Sequence, residues 1–98
     1  MNVRFRDEDL ARLATERDFT GGYSRAVIKG FRKTVGFIKA AADERDFYAM
    51  RSMRFEKLSG ERKHQRSMRI NDQYRLIIEL EGEGRKKVVH VIGIEDYH

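Results

Sequence analysis

Ninety-eight residues suffice for one compact domain, residues 1–98, and leave no room for a second. The chain has no cysteine, hence no disulfide framework and no thiolate chemistry. No run of it approaches the roughly 18 apolar residues of a membrane span, so it is expected to act in the cytoplasm without a membrane partner. The net charge of +5 resides between Arg51 and Arg75, where eight cations (Arg51, Arg54, Lys57, Arg62, Lys63, Arg66, Arg69, Arg75) meet three acids (Glu56, Glu61, Asp72), and a polyanion is the natural partner.

Asn2–Phe5 reads as a short strand. "DEDLARLATER" follows, with three acids where a helix N-terminus favours negative charge and an apolar stripe of Leu10, Leu13 and Ala14, which predicts a helix. "FTGGYS" interrupts it with two glycines, and Ser24 is placed to cap a longer helix from Arg25 to about Asp43. Ile28, Phe31, Val35, Ile38 and Ala42 form the apolar face of that helix, and Phe31, Phe37 and Phe47 are core candidates.

From Phe55 the pattern changes to period two. "SMRINDQYRLIIEL" alternates on both sides of a turn, "EGEG" marks another turn, and "KKVVHVIGIEDYH" reads as a buried strand. The fold class expected is α+β, with two N-terminal helices packed on one face of a small, largely antiparallel twisted sheet.

Side-chain parity selects the hairpin register. A two-residue loop would set Met68 against Arg75, whereas a three-residue loop of Asn71, Asp72 and Gln73 sets Ile70 against Tyr74 and Met68 against Leu76. The second register keeps the apolar face intact and places Arg69 opposite Arg75 on the other face. Like charges so paired repel. They either splay into water or pair with Glu79 or Asp96, or they grip a phosphate, which guanidinium groups bind with two donors each.

The terminal Asp96, Tyr97 and His98 admit two readings: exposed side chains at a strand end, or parts for proton transfer, with His98 suited to work near neutral pH. His64, His90 and His98 are too scattered for a metal site, and "GEG" at Gly82–Gly84 lacks the strand-to-helix context of a phosphate loop. No metal and no cofactor is expected.

On "FEKLSGER" (55–62), "SMRINDQYRLI" (67–77) and "EDYH" (95–98), the chain resembles a HigB toxin of the RelE/ParE superfamily. A common pattern in such toxins reads "LHPLKGDR", then "SI-x-(I/V)-N-x-x-(W/Y)-R-I", then "YEDYH". The resemblance implies a compact antiparallel sheet with two N-terminal helices, and a metal-independent endoribonuclease that cuts mRNA in the ribosomal A site. It also implies a helix-turn-helix, HigA-like antitoxin whose complex with the toxin binds its own operator DNA.

By the same resemblance Arg75, Asp96, Tyr97 and His98 are the catalytic candidates. Arg62 falls on the Arg of "GDR", and Arg54, Lys57, Lys63 and Arg69 are the further RNA-binding candidates. Glu56 and Ser59 stand where the pattern has His and Lys, and Lys57 where it has Pro, so Lys57 or Arg69 substitutes for the missing cation or activity is weakened. The alternatives are a ParE-like gyrase inhibitor and a degenerate, non-enzymatic nucleic-acid-binding homologue.

Overall fold

The computed structural model describes residues 1–83 and 86–97. β1 (Asn2–Phe5) leads into α1 (Glu8–Thr15), where the Asp7 carboxylate accepts from the Leu10 amide at 2.9 Å and Glu8 and Asp9 fill the first turn. α2 (Arg25–Ala40) starts as expected, with Ser24 Oγ accepting from the Val27 amide at 3.3 Å. It ends earlier than about Asp43. Ala41 is extended (ψ 143°), and the Met1 ammonium donates to the carbonyls of Ile38, Lys39 and Ala41 at 3.3, 2.9 and 2.7 Å. The Ala42 amide donates to Asp46 Oδ2 at 2.8 Å, so helix-terminal groups are satisfied without another turn.

A third helix, α3 (Arg45–Ala49), was not expected; it buries Phe47 fully, with its ring 5.9 Å from Phe37 and 5.3 Å from Phe55 between centroids. A 3₁₀ turn at Arg51–Met53 precedes β2 (Glu56–Lys57), and another at Gly60–Arg62 precedes β3 (Gln65–Arg69). β4 (Tyr74–Glu81) and β5 (Val88–Asp96) complete the five-stranded sheet, ordered β1-β5-β4-β3-β2. Its pairings are antiparallel except β1 with β5, which is parallel. The turn expected at "EGEG" keeps Gly82 at φ 85°, while Gly84 lies outside the described residues.

The three-residue hairpin register is the one observed: Met68 pairs with Leu76, Arg69 with Arg75, and the Ile70 amide donates to the Tyr74 carbonyl at 3.0 Å. Met68, Leu76, Ile78, Val89 and Val91 meet Leu13, Phe31, Val35 and Ile38 of the helices in a single core cluster. α2 approaches the hairpin closely. A Cβ on Gly30 would stand 2.7 Å from Ile70 Cγ2 and 2.8 Å from the Ile70 carbonyl oxygen, so only glycine fits.

Ile77 is 2% exposed yet lies outside the core cluster, because it alternates to the opposite face of the sheet. That second face carries Arg69, Arg75 and Glu95 in one row across β3, β4 and β5, and Gln65, Glu79 and His90 in another.

A β-bulge links the two halves of this face. Ile77 pairs with Gly93 but Ile78 pairs with Val91, so Ile92 is the extra residue. Before the bulge the odd-numbered Val89 and Val91 face the helices; after it Ile94 does, opposite Leu76. Glu95 is thereby turned toward Arg75, and Tyr97 follows it onto the arginine face.

Candidate functional site

At the end of the sheet where β4 begins and β5 finishes, Ser52, Arg54, Arg69, Asp72, Arg75 and Tyr97 line an open groove of about 430 Å³. Its floor is Arg75, only 8% exposed. One of its nitrogens, Nη1, donates to the carbonyls of Asn71 (2.9 Å) and Tyr74 (3.3 Å), and its guanidinium carbon lies 4.0 Å from the centre of the Tyr97 ring. Backbone carbonyls and an aromatic face thus hold this cation in place without neutralising it.

The hairpin turn supporting that geometry is set by Asn71. Its Oδ1 accepts from the amides of Gln73 (2.9 Å) and Tyr74 (2.8 Å), which fixes the turn and aims its own carbonyl at Arg75. The turn also binds the tip of β5: the Gln73 carbonyl accepts from the Tyr97 amide at 2.6 Å, and Gln73 Nε2 donates to Asp96 Oδ2 at 3.1 Å.

Arg69 enters from β3 and forms an ion pair with Asp72. That hydrogen bond, helped by the fields of Arg69, Arg75 and Arg54, holds the Asp72 carboxyl below its ordinary range. Arg54 stands on the third side in the left-handed region, φ 46° and ψ 55°. Three guanidinium groups and a phenol on one concave surface suit a phosphodiester with an adjoining base.

The candidates from sequence therefore separate. Arg54, Arg69, Arg75 and Tyr97 come together. Asp96 sits one residue back at the strand tip, in the grip of Gln73, and His98 lies outside the described residues. Arg62 is engaged elsewhere: its Nη1 and Nη2 donate to Glu95 Oε1 and Oε2 at 2.9 and 2.6 Å and its Nε to Gln65 Oε1 at 2.9 Å, and the Glu95 contact raises its pKa.

Lys57 pairs with Arg66, and its neighbour Glu56 with Ser67, so Lys57 alternates away from the face that Ser67 shares with Arg69. Lys63 is exposed on the turn before β3, away from the groove wall. Arg69 pairs with Asp72, and Glu79 accepts from Gln65 Nε2 at 3.0 Å. Sequence reasoning did not single out Ser52, Asn71, Asp72 or Glu95 as site residues; Asn71 and Asp72 carried a signal as the hairpin turn, and Glu95 as the first residue of "EDYH".

Among the described residues, no group of three His, Asp or Glu side chains is placed to hold a metal ion, and no helix is long and apolar enough to cross a membrane.

No curated protein matches the chain significantly. Among solved structures it is similar to a YoeB/ParE toxin from Agrobacterium tumefaciens, with a TM-score of 0.61 and 14% identity over 100% of both chains, a likeness of fold. The family model of the RelE-like toxin of the type II toxin-antitoxin system HigB matches residues 3–98. With that match over nearly all of its length, the chain belongs to the HigB-like, RelE-type toxins of type II toxin-antitoxin systems, and an antitoxin is its implied partner.

Proposed function

We propose that this toxin is a ribosome-dependent endoribonuclease that cuts mRNA in the A site. The observation that carries the reading is the clustering of Arg54, Arg69 and Arg75 in one groove with Tyr97, whose ring covers Arg75, an arrangement of cations and a stacking surface that fits RNA. RNA supplies its own nucleophile. A base removes the proton of the 2′-hydroxyl, the oxygen attacks phosphorus, and an acid protonates the departing 5′-oxygen, leaving a 2′,3′-cyclic phosphate. No metal or cofactor enters.

In this scheme Arg75, already oriented by Asn71, and Arg69 stabilise the additional charge on phosphorus. Removing one such preorganised donor costs about 10²–10³ in rate. Asp96 and His98 transfer the protons, and Tyr97 orients the substrate by stacking. The remaining basic surface, including Lys57 and Lys63, meets ribosomal RNA phosphates, with affinity that falls steeply as salt rises. A HigA-like antitoxin neutralises the toxin and carries the complex to its operator DNA.

Mapping mRNA 5′ ends in a cell-free translation reaction tests the proposal. Wild-type protein with a free C-terminus should create new ends at in-frame codons, and Arg75→Ala and a deletion of His98 should abolish them while remaining folded. Blocked translation without new ends would point instead to inhibition by binding. If supercoiling by DNA gyrase is the step blocked, the ParE-like alternative takes its place.

A further inference from the structure

Resting on the reading of the groove as a phosphate site, we propose that Asp72 is a built-in counter-ion of the arginine row, a selectivity residue that an RNA phosphate must displace in order to bind. Asp72 occupies the middle of the Asn71–Gln73 turn, which the two bonds to Asn71 Oδ1 hold in one shape, so its carboxylate is presented to Arg69 from a fixed base. The same carboxylate lines the groove with Arg54, Arg75 and Tyr97.

Packing does not explain it. The Asp72 side chain is 98% exposed, and it pairs with Arg69. A phosphodiester approaching Arg69 therefore finds its binding fork already facing an anion of the same charge and similar geometry. Exposed ion pairs of this kind are weak, so displacement raises the binding threshold only about five-fold. That is enough to discount dilute, free RNA. It is little hindrance to an mRNA segment held against the groove at high local concentration. Asp72 thus favours presented over free substrate while leaving the arginines in place.

The test is fluorescence anisotropy with a 2′-O-methyl hexaribonucleotide, which lacks the attacking hydroxyl and reports binding alone. Wild type is compared with Asp72→Asn, Arg75→Ala, and Glu83→Gln, which removes one acid beyond the far end of β4. Asp72→Asn should tighten binding about five-fold more than Glu83→Gln does, and this excess should collapse in an Arg69→Ala background. Equal gains from Asp72→Asn and Glu83→Gln, with binding still lost in Arg75→Ala, would overturn the counter-ion while keeping the groove as the phosphate site. Binding insensitive to Arg75→Ala would remove the groove reading, and the counter-ion with it.

Discussion

Arg54 holds a backbone conformation that L-residues with a Cβ avoid, at a cost of about 1–2 kcal/mol. Such strain at a groove wall is a reason to look for function there. Arg54→Gly should therefore be more stable than Arg54→Ala by about 1 kcal/mol in urea denaturation, while both weaken oligonucleotide binding alike. Equal stability of the two variants would mean that the left-handed backbone stores no strain. The facing of Arg69 and Arg75 was legible beforehand, since parity and a three-residue turn suffice to place it. The partner of Arg62 was not. Glu95 is 33 residues away, and only the assembled sheet brings the two together.

Within β5, the bulge at Ile92 decides what the strand can do. Strict alternation from Val89 would have turned residue 95 toward the helices; the extra residue turns Glu95 and Tyr97 to the arginine side. The apolar positions of "VVHVIGI" do shift parity, from Val89 and Val91 to Ile94, so the bulge left a trace in the sequence that a simple buried-strand reading passes over. α3 left a fainter one. It is five residues long, Asp43 rather than its N-cap Glu44 accepts from the first helical amide, and it buries Phe47 fully.

The Arg62–Glu95 pair links the turn before β3 to the end of β5 and serves as a strut for the groove's aromatic wall. If the proposed mRNA cleavage is the activity, Arg62→Glu or Glu95→Arg alone should slow it several-fold by setting like charges together, and the double exchange should restore most of the rate. A phosphate ligand at Arg62 would behave differently, with cleavage staying low in the exchanged pair.

Across the whole molecule, the helix-then-meander order was readable from the change of period at Phe55, and the antiparallel hairpin from parity. The parallel pairing of β1 with β5 was not, because Asn2 and Val88 lie at opposite ends of the chain and no local pattern joins them. That pairing bears on how the toxin comes into being. β5 stands between β1 and β4 in the sheet, so β1 gains its neighbour only after β2, β3 and β4 have been made. Until residues 88–96 leave the exit tunnel, the core lacks Val89 and Val91 and the groove lacks Tyr97. Nascent chains stalled with β5 still inside should be digested rapidly by protease, and chains released from the same ribosomes should resist it. Assembly of the arginine groove therefore waits for β5.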